Sequence, residues 1–262
     1  LGQALLKEMG TIVQGKGEVI RRAVVTVLAG GHLLLEDVPG VGKTTLALAL
    51  SAGLGCSFSR LQFTSDLLPT DVLGLDTLTP GRDAFELKPG PIFAQVILAD
   101  EINRTTPKTQ SCLLEAMADS HVTLDGNTHA LPEPFIVIAT QNPIEHQGTF
   151  PLPESQLDRF LMRLKMGYPD TEAERRIIRG VPRPKPGKEG AVLTPLGLLA
   201  LQAKAKEVRV SNQVEDYMLA LISASREHAH IELGVSPRGA RDLYLASQAL
   251  ALMEGRDYVI PD

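Results

Sequence analysis

Residues 37–44 read Asp-Val-Pro-Gly-Val-Gly-Lys-Thr, directly after an apolar run that ends at Glu36. The chemistry open to such a set is the holding of a phosphate chain. Small residues let several backbone N–H groups turn inward, and a following helix N-terminus adds its own donors. A lysine reaches the outer phosphates and a hydroxyl ligates Mg²⁺. Gly40, Gly42, Lys43 and Thr44 supply these parts, with Val38, Pro39, Val41 and Thr45 completing the loop and the first helical turn. Asp37 stands where the G-x-x-x-x-G-K-[ST] pattern has its first glycine. Aspartate tolerates left-handed backbone and can close a local turn, so the loop stays within reach, although an inward carboxylate would repel a polyphosphate. The competing reading is a Gly-rich turn with a surface lysine. The Lys-Thr pair heading a helix weighs against it.

Asp100 and Glu101 end a second apolar run, and a carboxylate at the carboxyl end of a strand faces the same crevice as a phosphate loop. Asp100 is expected to hold the Mg²⁺ that Thr44 also binds, directly or through water. Glu101 is placed to activate the attacking water as general base. A third run ends in Ala139-Thr140-Gln141-Asn142-Pro143, where an amide can bond the water or the γ-phosphate; Asn142 is the better candidate than Gln141, and an ordinary Asn-Pro turn is its alternative.

These groups need a scaffold that brings several strand ends to one edge. Continuous apolar runs at 32–36, 58–63, 95–100 and 135–140, with a fifth at 161–166, predict strands covered on both faces, as in a parallel sheet. Helical spacing at 43–52 and 108–118 makes this an open α/β fold. Two interruptions read as protruding hairpins. One surrounds Thr79-Pro80-Gly81-Arg82, and the other carries Asp125-Gly126 between β-branched flanks. After Tyr168 the pattern is helical only. Asp170 or Thr171 caps a helix, with Glu174 completing a Thr-x-x-Glu capping box. A stiff linker is expected at 181–187, then helices at 194–206, 212–229 and 237–254, the last with Ser236 as cap and Pro237 at its first position.

Composition narrows the function. Across 262 residues, 44% hydrophobic and 22% charged is ordinary globular usage, so wholesale disorder is excluded. Residues 1–168 carry 13 basic and 18 acidic side chains, and residues 169–262 carry 13 of each. Neither half has the positive excess that draws nucleic acid. Cys56 and Cys112 form no metal motif and read as small thiols in a reducing compartment. The uncharged stretch from Ala23 to Leu35 is broken by Gly30, Gly31 and His32 and falls short of the roughly 20 apolar residues of a membrane span. With no signal peptide in view, a cytoplasmic protein is expected. The chain opens on Leu1 and stops at Pro261-Asp262, which reads as a trimmed sequence with a truncated C-terminus. His228 and His230, two apart on a helix, would point to different sides and lack a third ligand.

Taken together, residues 34–44, Ala99-Asp100-Glu101-Ile102-Asn103-Arg104, Ala139 to Pro143, Pro153-Glu154-Ser155-Gln156-Leu157-Asp158-Arg159-Phe160 and Ser236-Pro237-Arg238 resemble the MoxR family of AAA+ ATPases over nearly the whole chain. An acidic residue at position 37 is common there. The resemblance implies an α/β P-loop NTPase (AAA+) core over 1–168 with a five-stranded parallel sheet, followed by a small all-helical lid domain over 169–262, with ATP and Mg²⁺ between them. It implies a homo-oligomeric ring, usually a hexamer. It assigns Asn142 as the first sensor, Arg159 as the arginine that completes a neighbouring subunit's site, Arg238 as the lid sensor of the γ-phosphate, and Val13, Gly15 and Lys16 to the surroundings of the adenine. The two hairpins match the helix-2 insertion and the hairpin before the first sensor. Chaperone-like maturation of a protein client follows, metal insertion included, alongside a partner carrying a von Willebrand factor A domain.

Residue chemistry leaves alternatives beside this. Arg159 could pair with Asp158 or Glu154, an exposed contact worth only about 0–1 kcal/mol. Arg241 shares the face of Arg238 and could be the sensor instead. A nucleic-acid or metal-chelatase motor subunit is built on a related core, and a slow nucleotide-gated binding module needs only part of this set. The balanced charge opposes DNA binding, and Glu101, Asn142 and Arg159 together oppose a module that does not turn over.

Overall fold

A computed structural model describes residues 2–78, 85–124, 126–143, 148–180 and 191–262. Two helices come first, α1 (Gly2–Ile12) and α2 (Gly17–Leu28), then β1 (Leu33–Glu36), α3 (Lys43–Gly53) and β2 (Phe58–Gln62). A short α4 (Pro69–Leu73) leads to β3 (Gly74–Leu78), β4 (Phe85–Pro89) and β5 (Val96–Asp100). Next come α5 (Pro107–Asp119), β6 (His121–Leu124), β7 (Asn127–Ala130), β8 (Ile136–Gln141), α6 (Glu154–Leu157) and β9 (Met162–Leu164). Helices α7 (Thr171–Ile178), α8 (Pro195–Lys206), α9 (Asn212–Glu227) and α10 (Pro237–Met253) complete the described chain.

Five strands form one parallel sheet in the order β2-β5-β8-β1-β9. Why the apolar runs are continuous is visible in the core. Leu33, Leu35, Val96, Leu98, Ile136 and Ile138 face one apolar cluster with α1, α2 and α3, while Leu34, Ile97, Ala99, Val137 and Ala139 face the other with α5. Alternate residues go to opposite faces, and both faces are covered. The five expected strands are found with ends shifted by a few residues. Helices α1 and α2 were not read from the sequence, although Leu5, Met9, Ile20, Ala23, Val24 and Val27 are buried at helical spacing.

Both expected hairpins are antiparallel pairs, β3 with β4 and β6 with β7. Thr79 to Arg82 and Asp125 lie outside the described residues, as does the linker 181–187. The second hairpin does not merely protrude. Val122 and Leu124 are buried in the cluster beneath the sheet, so one face of it is core. Asp170, not Thr171, caps α7: its Oδ1 accepts from Ala173 N at 2.7 Å, which puts Thr171 inside the helix and dissolves the expected capping box. Ser236 caps α10 as expected, accepting from Gly239 N at 2.9 Å. Helix α9 ends at Glu227, so His228 and His230 sit past its end, their ring centroids 5.6 Å apart.

From 169 to 262 the described residues form helices and one isolated bridge, Arg209 to Tyr258. This helical part shares its main apolar contact with the sheet layer: Leu193, Leu198, Ala205, Ala249 and Met253 enter the same cluster as α2 and α3. Gln202 Nε2 donates to Val27 O at 2.8 Å, and Val192 N and Leu193 N both donate to Gly53 O at 3.0 Å. Among the described residues no helix is long and apolar enough to cross a membrane.

His32, at the head of β1, sets an acid limit on this packing. Its Nδ1 accepts from Val137 N at 3.1 Å and its Nε2 lies 3.1 Å from Met117 O, an arrangement that needs the neutral ring. Burial, with a smaller push from the charge of Arg238, lowers its pKa from 6.5 to about 4, against the bond to Met117. The unfolded ring takes up a proton below pH 6.5 and the folded ring does not until about pH 4, so stability falls as pH drops through that window. The loss is about 3 kcal/mol. Urea unfolding at pH 7 and pH 4 should show that much more acid sensitivity in the wild type than in His32→Gln; equal pH slopes would remove His32 from the account.

Candidate active site

The phosphate loop is built by the turn from β1 into α3. Gly42 caps α3 at φ +96°, a left-handed position that a side chain would strain. Lys43 is the first helical residue, and its Nζ donates to Asp37 O at 2.6 Å across the loop. The Asp37 carboxylate does not line the cleft beside this loop. Its Oδ1 accepts from Val38 N at 2.8 Å, closing the local turn, and its Oδ2 accepts from Gly167 N at 2.5 Å, tying the loop to the segment that leads into α7. Two backbone donors thus absorb the charge at the position where the pattern has glycine.

Asp100 and Glu101 stand at the end of β5, next to β8. Thr140, fully buried on β8, bridges them: its Oγ1 donates to Asp100 Oδ1 at 2.6 Å and accepts from Glu101 N at 2.9 Å. Glu101 adopts φ +58°, which costs a non-glycine residue about 1–2 kcal/mol. That turn aims its carboxylate away from the strand, where Oε2 accepts from Gln62 Nε2 at 3.1 Å and forms an ion pair with Arg104, whose Nε lies 3.1 Å away. Gln110 steadies the loop below, donating to Ile102 O, Thr105 O and Phe150 O. Asn142 is nearly buried and its carbonyl accepts from Asn103 Nδ2 at 3.4 Å. Gln141 turns the other way, donating to the buried Glu36, which Arg163 also pairs.

The expected residues fall into three places. Pro39, Gly40, Gly42, Lys43, Thr44, Thr45, Asp100, Glu101 and Asn142 line one cleft of about 360 Å³, with Arg60. Val41 packs partly against the core beneath it. Val13, Gly15 and Lys16 line a separate hollow of about 370 Å³ between α1 and α2, which shares no lining residue with the cleft. Gly15 there meets the start of α7 so closely that a Cβ would lie 2.7 Å from that of Ala173, and Lys16 Nζ donates to Tyr168 O at 2.6 Å. Arg159 and Arg238 line a third recess of about 340 Å³ with Arg241, Lys206, Asp242 and His32. Burial raises the pKa of Asp242 against the pull of Arg238 and Arg241, with Asp158 adding to the rise.

Arg159 forms no ion pair among the described residues. One guanidinium nitrogen donates to Leu114 O on α5, and its buried Nε has no partner there. Asp158, the partner weighed for it, accepts instead from Ser236 Oγ at 2.6 Å, which links the cap of α10 to this loop. Arg60, Gln62 and Thr140 were missed. A polar residue at the buried end of a strand was the available signal for Thr140; Arg60 and Gln62 carried none.

The cleft fits a nucleoside triphosphate with Mg²⁺. The cradle meets a helix N-terminus, a lysine and a hydroxyl, and the donors of Thr44 and Asp100 are hard oxygens of the kind Mg²⁺ takes.

Known proteins agree with that chemistry. The family model described as "ATPase family associated with various cellular activities (AAA)" matches residues 32–162, and that for the AAA lid domain matches residues 223–262. The uncharacterized protein YeaC of Bacillus subtilis is 46% identical over 100% of this chain and 82% of its own length. Chaperone MoxR1 of Mycobacterium tuberculosis is 43% identical over 97% of this chain and 70% of its own, and protein MoxR of Methylorubrum extorquens is 32% identical over 98% and 81%. The crystal structure of a proposed ATPase from Cytophaga hutchinsonii is 37% identical with a TM-score of 0.88, covering 99% of this chain and 82% of that one. A full-length MCM homologue of Methanopyrus kandleri, at 17% identity and a TM-score of 0.66, covers 99% of this chain and 56% of that one and is alike in fold alone.

Proposed function

The chain belongs to the MoxR family of AAA+ ATPases, and on that premise we propose that it hydrolyses ATP within a ring of like subunits to remodel or mature a protein client. The observation that carries the reading is the single cleft in which the ends of β1, β5 and β8 gather Lys43, Thr44, Asp100, Glu101 and Asn142. Bound Mg²⁺ would neutralise charge on the β- and γ-phosphates. Thr44 and Asp100 would hold it, and Lys43 with the loop N–H groups would hold the phosphates. Glu101, turned out by its left-handed backbone, would accept the proton of the attacking water. Asn142 would orient that water or the γ-phosphate.

Arg159 and Arg238 share a recess that has no lining residue in common with the cleft, and this supports both acting on a neighbour's nucleotide when subunits meet. Residues 1–168 would then act as the core and 169–262 as the lid, joined through Asp158 and Ser236 on one side and through Gln202 with Val27 and Val192 and Leu193 with Gly53 on the other. The name of the mycobacterial relative supports a chaperone role for the cycle. A partner with a von Willebrand factor A domain is the one the family resemblance suggests.

Binding tests the first step. A fluorescent ATP analogue with Mg²⁺ should bind the wild type and lose roughly 10–100-fold in affinity with Lys43→Ala, since that change removes a charge-assisted contact to phosphate. Unchanged affinity would overturn the site.

A further inference from the structure

Arg60 lies on the edge strand β2, 40 residues before Asp100 in the chain. The parallel register sets Gln62 beside Asp100 and Arg60 beside Leu98, so both β2 side chains rise on the face that carries the carboxylate. Arg60 Nη2 and Nε donate to Asp100 Oδ2 at 2.6 and 3.2 Å, while Thr140 Oγ1 donates to Oδ1 at 2.6 Å. Both oxygens of the expected metal ligand are therefore engaged, one of them by a full positive charge. The exposures are unequal: the Asp100 side chain is 11% exposed and that of Arg60 is 50%. Thr140 holds the carboxylate in place, whereas the guanidinium reaches in from solvent and can return to it at little cost. Arg60 also lines the same cleft as Lys43 and Thr44.

Resting on the reading of this cleft as an ATP site, we propose that Arg60 is the built-in counter-ion of the metal-binding carboxylate and that Mg²⁺ arriving with ATP takes its place. A guanidinium and a divalent ion compete for the same lone pairs, and their mutual repulsion forbids both from occupying Oδ2. Arg60 keeps Asp100 paired and aimed into the cleft, which spares the protein a buried lone carboxylate. ATP without metal leaves the pair intact. ATP with metal must break it, so Arg60 weakens the metal-dependent part of the affinity and nothing else. This makes Arg60 a positioning residue that sets how much free Mg²⁺ the site demands.

The test uses the full chain and a fluorescent ATP analogue, titrated in EDTA and in excess Mg²⁺, for the wild type, Arg60→Gln and Arg60→Lys. Melting without nucleotide shows that each variant is folded. In Arg60→Gln the affinity in EDTA should stay near that of the wild type, while the affinity in Mg²⁺ rises roughly tenfold and the Mg²⁺ needed for half-saturation falls in proportion. Arg60→Lys, which keeps the charge and loses the fork, should fall between the two and serves if Arg60→Gln does not fold. Weaker binding in both conditions would make Arg60 a phosphate ligand and overturn the exchange. Equal affinities in both would reduce it to a surface ion pair and overturn it as well. A wild type that binds the analogue in neither condition would sink the ATP reading itself, a result distinct from wild-type binding with an unaltered ratio in the variants.

Discussion

Arg159→Ala should bind ATP as the wild type does and hydrolyse it roughly 10³–10⁵-fold more slowly in the assembled ring. The side chain has few duties within its own chain: one hydrogen bond to Leu114 O and an Nε with no partner among the described residues. Losing that bond costs about 1 kcal/mol of stability, too little to unfold the protein. A guanidinium that neutralises charge on the transferring phosphoryl group is worth several times as much in the barrier. The side chain lies with Arg238 in a recess that shares no lining residue with the phosphate cleft, which is why it is proposed to act on a neighbouring subunit's nucleotide. Mixing provides the measurement. Arg159→Ala subunits carry an intact Glu101 and Glu101→Gln subunits carry an intact Arg159, so mixed rings should recover part of the turnover that each variant lacks alone. A ring of Arg159→Ala subunits that hydrolyses at the wild-type rate would end the role.

Glu101→Gln should retain ATP affinity and lose roughly 10²–10⁴-fold in turnover. Glutamine is isosteric and keeps an oxygen that can accept from Gln62 and Arg104, so the geometry of the cleft survives. What is lost is the basic lone pair that, in the proposed mechanism, takes a proton from water. The strained turn at Glu101 supports the proposed role: Thr140 accepts from its N–H and holds it where a relaxed strand end would not go. Phosphate release under saturating ATP, beside binding of the fluorescent analogue, separates the two effects. Turnover above a tenth of the wild-type rate would move the base elsewhere.

Much of this site was legible because its groups come in contiguous motifs. A phosphate loop must be a turn between a strand and a helix, so Gly40, Gly42, Lys43 and Thr44 carry their geometry in their order. Asp100, Glu101 and Asn142 were legible for a related reason. Each follows an apolar run, and parallel strands deliver such ends to one edge of the sheet. Asp37 was half legible: the residue type allowed the turn, but the direction of its carboxylate depended on Gly167, 130 residues away. The capping box at Thr171 failed because two adjacent residues could serve as cap and only the backbone path chose Asp170.

The order of residues alone determined which parts this protein brings to the proposed site: a Gly-rich loop with Lys43 and Thr44, two carboxylates, the amide of Asn142, and apolar runs that stack into a parallel sheet. It settled them because turn geometry and side-chain periodicity act over a few residues. Folding in three dimensions decided how those parts are shared out. It set Arg60 on Asp100 and Gln62 on Glu101 through the register of β2 against β5, and it carried Arg238 from α10 into the recess of Arg159, apart from the cleft. Contacts of that kind join residues some 40 to 80 positions apart, where no local rule reaches and only the packing of one element on another fixes what meets what.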